Sequence, residues 1–151
     1  MKTVLDILKS KGNVVWSISP DAPVFEALRL MAEREIGALP VIEDGKLSGI
    51  ISERDYARKV VLQGKFSKDT PVMEIMSSAV IYVKPMNTAE ECMALMTNKH
   101  VRHLPVYEGE NLLGIISIGD VVKAAIEDRE FVIDQLMHYI KDTPAIDPET
   151  K

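Results

Sequence analysis

The feature that most constrains this chain is a duplication. Sliding the sequence on itself by 65 residues lays Ser19–Asp55 over Lys84–Asp120 without a gap, and more than a third of the 37 positions are identical. Among them are Pro20/Pro85, Met31/Met96, Leu39/Leu104, Pro40/Pro105, Val41/Val106, Gly49/Gly114, Ile50/Ile115, Ile51/Ile116, Ser52/Ser117 and Asp55/Asp120. The likeness extends backwards, since "VLDIL" (4–8) resembles "VMEIM" (72–76), with three extra residues in the first copy around Lys9–Asn13. A period of this length in only two copies does not suit a solenoid. It suits pseudo-twofold packing, in which each half covers the apolar face the other leaves open.

One unit reads as β-α-β-β-α behind a short leading helix. Residues 14–18 and 79–83 are apolar and predict short strands. Asp21 is a candidate helix cap with Pro23 in the first turn. Val24, Ala27, Leu28 and Met31 then share one helical face, as do Ala89, Cys92, Met93 and Met96. "ALPVI" and "LSGII" flank Asp44-Gly45, a pair suited to a tight hairpin turn. A helix follows from Glu53 to about Leu62. After Asp120 the helical rhythm of Val122, Ile126, Ile133, Met137 and Ile140 either runs on or breaks near Asp128. The expected division is a first repeat over 3–62, a linker over 63–71, a second repeat over 72–125, a helical extension over 126–141 and a frayed tail over 142–151.

Composition closes off several function classes. The chain has 151 residues, 46% hydrophobic and 27% charged, with a net charge of −5 and 5% aromatics. Neither a basic stripe nor a stacking platform for nucleic acid is visible. No apolar run approaches the roughly 20 residues that span a bilayer, and Asp6 interrupts any signal-peptide core. The single Cys92 excludes an internal disulfide and suits a reducing, cytoplasmic setting. Burial as core filler is its expected role.

Each repeat carries two features of interest. Gly-Ile-Ile-Ser-x-x-Asp, at Ser52/Asp55 and again at Ser117/Asp120, turns a strand into a helix. Its plain reading is a capping box. The same corner exposes N–H groups that favour an anion, and its Asp can accept from two neighbouring hydroxyls. The second feature is a proline inside a strand, Pro40 and Pro105, which removes a ladder donor. It marks either an edge strand or backbone groups left free for a ligand. Trp16 is equally compatible with a core and a cleft-lining position. Arg58 reads as solvated surface. His100 and His103, placed in a strand, point to opposite faces and do not read as a metal pair. No nucleophile–base pair, phosphate loop or zinc motif appears, so an enzyme is not expected.

Taken together, "IGALPVIEDGKLSGIISERD" and "VRHLPVYEGENLLGIISIGD", each followed by a helix, resemble the CBS-domain family in its tandem form. The likeness covers about residues 3–125 and is close to small stand-alone bacterial proteins made only of two such repeats. It implies an α/β fold of two β-α-β-β-α repeats packed in one disc, with a C-terminal helical extension. It also implies two symmetry-related clefts for adenosine-containing ligands: AMP foremost, with ADP, ATP, NAD(H) and S-adenosylmethionine also used in the family. By that resemblance Asp55 and Ser52 work with Val80, Ile81, Val101, Arg102 and His103. Asp120, Ser117 and Ile115 work with Trp16, Ile36, Gly37 and Ala38. The crossing makes the clefts unequal. Arg54, Arg102 and His103 converge on Asp55, whereas Gly119, Gly37 and Ala38 stand at the matching positions beside Asp120, with only the Lys9/Lys11 region to supply a cation. Phosphate-rich ligands should therefore prefer the Asp55 cleft. The expected protein is a non-enzymatic nucleotide sensor, homodimeric through its amphipathic helices, that regulates an unidentified partner protein. The alternative is an interaction module with empty clefts. No metal, nucleic acid or membrane is called for.

Overall fold

The computed structural model describes residues 1–142 apart from Asn13 and Ala79, so the start of the strand expected at 79–83 and nearly all of the expected tail lie outside the described residues. Each repeat is built on an antiparallel hairpin: β1 (Ala38–Glu43) with β2 (Lys46–Ser52), and β3 (His103–Glu108) with β4 (Asn111–Ser117). The two hairpins share a register, pairing Pro40 with Ile50 and Pro105 with Ile115. They also share a bulge, after Val41 and after Val106. Asp44 and Gly45 both have positive φ, as a two-residue turn matched to strand twist requires.

The strands expected at 14–18 and 79–83 shrink to single parallel bridges, Ile18 to Val41 and Val83 to Val106. The prolines explain it. Ile18 N–H donates to the Pro40 carbonyl and Ile42 N–H donates to the Ile18 carbonyl. The next bond of that ladder would need an N–H on Pro40, which has none. Pro105 cuts the second ladder in the same way, after Val83 N–H has bonded its carbonyl.

Helix α2 (Val24–Arg34) buries Val24, Ala27 and Met31, as its spacing predicts. Asp21 does not cap it. Pro23 holds the N-cap position without a side-chain bond, and the Asp21 N–H is itself bonded to Ser19 Oγ. In α4 (Ala89–Lys99), Ala89, Cys92 and Met96 are buried but Met93 faces outward. Both helices end on a left-handed residue, Glu35 and His100, 65 positions apart. His100 is therefore a helix cap and not part of a strand. The corner helix α3 (Glu53–Tyr56) passes into a π-helical turn over Ala57–Val61. Its counterpart α5 runs unbroken from Ile118 to Asp142.

The leading segments exchange places. Helix α1 (Val4–Lys11), held by a Thr3/Asp6 capping box, puts Val4, Ile7 and Leu8 into the core of the second repeat, with Cys92, Met96, Leu104, Ile116 and Val121. The second leader puts Val72 and Ile75 into the core of the first, with Val24, Met31, Leu39, Ile51 and Val60. Each core is thus completed by the other repeat's chain, so neither half folds around apolar contacts of its own alone. The leaders differ in length. The second makes one 3₁₀ turn (Val72–Glu74), then Ser77 pairs with Ile50 through bonds in both directions. The first, with its extra residues, stays helical to Lys11.

Candidate functional site

Where β2 turns into α3, Ser52 and Asp55 form a reciprocal capping box. Ser52 N–H donates to Asp55 Oδ2 at 2.9 Å, and Asp55 N–H donates to Ser52 Oγ at 3.2 Å. The plain reading of the motif is thus satisfied by one carboxylate oxygen. The other, Oδ1, lies 3.2 Å from the Lys59 ammonium one turn on, and Lys59 also donates to the Ile75 carbonyl at 2.9 Å. Ser117 and Asp120 repeat the box where β4 meets α5, at 2.8 and 3.1 Å. Here the cation comes from another element. Lys11, at the end of α1, donates to Asp120 Oδ2 and to the Ile115 carbonyl, both at 2.8 Å. Burial would raise the Asp120 carboxyl, but the Lys11 ammonium and the Ser117 N–H more than offset it and hold the acid below its ordinary value.

A cavity of about 600 Å³ opens beside Asp55. Ser52, Arg54, Asp55, Val80, Ile81, Val101, Arg102 and His103, all expected to converge there, line it. Ile50, Glu53, Arg58, Lys59, Ser77 and His100 join them without having been expected in the cleft. Arg58 is exposed, as its helix position suggests, yet it forms part of this wall. The i, i+4 spacing of Arg54 and Arg58 is the signal that could have found it. The cavity therefore combines a carboxylate corner, an apolar wall of Ile50, Val80, Ile81 and Val101, and a cationic rim of Arg54, Arg58, Lys59 and Arg102.

The corresponding cavity at Asp120 is about 220 Å³. Trp16, Ile36, Gly37, Ala38, Ile115, Ser117 and Asp120 line it as expected, together with Lys11, Val14, Val15, Glu35, Pro40 and His103. Gly119 lines neither cavity, since the second residue of α5 without a side chain cannot reach in. Trp16 is half-buried and stands on the cleft wall, with the Arg34 guanidinium stacked 3.8 Å from its ring centroid.

Gly37 and His103 belong to both cavities. A Cβ on Gly37 would lie 3.5 Å from His103 Nε2, an ordinary van der Waals contact, so the imidazole packs beside Gly37 between the clefts. Burial, then the Lys11 charge, pushes the His103 pKa below its ordinary value. Asp120 and Asp55 pull the other way, and Arg102 adds to the lowering.

A family profile described as "CBS domain" matches residues 4–62 and 72–127. The chain belongs to the CBS-domain family. It is 38% identical over 149 residues to the mitochondrial CBS domain-containing protein CBSX3 of Arabidopsis thaliana, covering 92% of this chain and 72% of that one. To CBS domain-containing protein YhcV of Bacillus subtilis it is 35% identical over 121 residues, covering 80% and 84%. A solved Burkholderia ambifaria structure, of signal-transduction type with CBS domains, superposes with a TM-score of 0.81 at 50% identity, covering 84% of this chain and 96% of that one. With its tandem CBS pair, its α/β repeats and the C-terminal helix α5, this chain is of signal-transduction type and similar to stand-alone bacterial CBS-domain proteins. Among the described residues no helix is long and apolar enough to cross a membrane.

Proposed function

We propose that this CBS pair is a non-enzymatic sensor of adenosine-containing nucleotides, with the Asp55 cleft as its principal site. The observation that carries the reading is the make-up of the larger cavity. Its apolar wall suits a flat base. Asp55 keeps Oδ1 clear of the capping bonds for a ribose diol, at the cost of turning Lys59 aside. Arg54, Arg58 and Arg102 stand on the rim, where a phosphate would accept charge-assisted hydrogen bonds. AMP is the foremost ligand, and ADP, ATP or NAD(H) fit the same chemistry. Both acids are engaged in helix caps, which favours binding over acid–base chemistry. Signalling requires that ligand favour one arrangement of the two repeats over another. The exchanged leaders supply a connection, because the segment ending at Ser77 touches the Asp55 cavity and also fills the first core.

The regulated entity is a partner protein, reached through a homodimer. Helix α5 supports this, since Ile118, Val122, Ile126, Ile133, Leu136 and Met137 are exposed along the side opposite Val121 and Ala124, which pack inward. Such an outward apolar stripe is what a second copy would cover. Light scattering should give twice the chain mass, and replacing Ile126 and Ile133 by Glu should return the monomer.

The nucleotide is tested by denaturing freshly purified protein and examining the filtrate by absorbance at 260 nm and mass spectrometry, followed by titration with AMP, ADP, ATP and NAD(H). A recovered or titrated adenine nucleotide is the expected result. No binding at millimolar concentrations would favour an interaction module with unused clefts.

A further inference from the structure

We infer that Lys11 is a built-in latch on the second cleft, leaving one open nucleotide site per chain where the repeat would otherwise provide two. The inference rests on the nucleotide reading above and specifies which site is used.

The latch follows from the extra residues of the first leader. Three residues are close to one helical turn, and they carry α1 on to Lys11 where the second leader has already become extended at Ser77. The two corners are consequently completed by different groups. In the first, the Ile50 carbonyl accepts the Ser77 backbone N–H at 2.8 Å. In the second, the matching Ile115 carbonyl accepts the Lys11 ammonium, which also holds Asp120. Lys59 contacts Asp55 as well, but from the same helix, and the cavity beside it still measures about 600 Å³. Lys11 instead comes from a different element, α1, and stands at the edge of the cleft. Lys11 and Asp120 both line the cavity of about 220 Å³ and a neighbouring one of about 110 Å³, so their ion pair is the wall between the two. A ribose diol at Asp120 would meet the Lys11 ammonium on the capping oxygen Oδ2 and at the Ile115 carbonyl, within a cavity of only about 220 Å³. At Asp55 it meets Lys59, likewise bonded to two acceptors, but beside a cavity of about 600 Å³.

The sole tryptophan, Trp16, lines the latched cavity and reports on it without a label. Lys11→Ala removes the ammonium at the last position of α1, where alanine is a good helix former, and Lys11→Arg keeps a cation there as a control. Calorimetry with AMP should give one site per chain for the parent and Lys11→Arg. Lys11→Ala should bind a second equivalent about three- to tenfold more tightly than the parent does, and that second event should change Trp16 fluorescence. Acrylamide quenching without nucleotide should also be stronger in Lys11→Ala than in the parent. Two equal sites in the parent, or one site and unchanged quenching in Lys11→Ala, would overturn the latch. If no form binds nucleotide, the sensor reading fails, and the quenching comparison alone decides for or against the latch.

Discussion

Gly49 lies against the backbone of Ser77, so that a Cβ at position 49 would sit 2.8 Å from the Ser77 carbonyl oxygen and 2.9 Å from Met76 Sδ. The second repeat has the same approach in a softer form. A Cβ on Gly114 would meet only Leu8 Cδ2, at 3.0 Å. These two glycines are where the exchanged leaders close on the hairpins.

That contrast sets the order of two substitutions. Gly49→Ala must move backbone and should cost about 1–3 kcal/mol, whereas at Gly114 a flexible leucine can yield and the cost should be smaller. Urea unfolding of both variants measures the difference. Equal losses would mean that the Ser77 segment does not hold its place against β2.

Exchange of leaders also predicts that α1 stabilises the second repeat. Ile7→Ala should cost about 2–5 kcal/mol and should lower hydrogen-exchange protection in β3 and β4, distant in sequence but in the same core. Protection lost mainly in β1 and β2 would contradict this packing.

His103 makes stability depend on pH. Its folded value lies below its ordinary 6.5, because burial and Lys11 oppose the proton more than Asp120 and Asp55 favour it. Glu53, which with His103 surrounds the Gly37 position, and Arg102 complete the charged groups around it. As pH falls through the ordinary value, the unfolded chain takes up a proton first. Stability should therefore decline below about 6.5 and level off beneath the folded value. His103→Gln should flatten this part of a urea midpoint-versus-pH profile. An unchanged profile would remove His103 as its source.

Cys92 is fully buried, and burial pushes its thiol up to about 11, with the Glu91 charge adding to the shift. A thiol that is neither ionised nor accessible is inert. An aromatic disulfide reagent should leave it unmodified in the native protein and react once in denaturant.

The sequence carried the parts of the fold written twice. The hairpins, the buried faces of α2 and, Met93 apart, of α4, and the two Ser-x-x-Asp corners follow from pairs 65 residues apart. Convergence of Arg102 and Val80 on Asp55 came from the family resemblance, because residues this far apart along the chain meet only through the packing of the two repeats. What stayed hidden depends on differences between the copies. The Lys9/Lys11 region was expected beside Asp120, and Lys11 stands there, but nothing local told that α1 would cross to the second core or that Lys59 would stand against Asp55. Asp21 misled because Pro23 took the cap position. Residues 14–18 misled because apolar content predicts a strand, while the length of its ladder was set by the N–H that Pro40 lacks.

Nucleotide binding at Asp55 is tested by isothermal titration of AMP and ATP into the parent, Asp55→Ala and Asp120→Ala. Both substitutions remove the same capping acceptor, and each also releases a lysine, Lys59 from Asp55 and Lys11 from Asp120. Asp55→Ala should weaken binding about tenfold or more, while Asp120→Ala should leave it nearly unchanged. Intact affinity in Asp55→Ala together with loss in Asp120→Ala would contradict binding at Asp55.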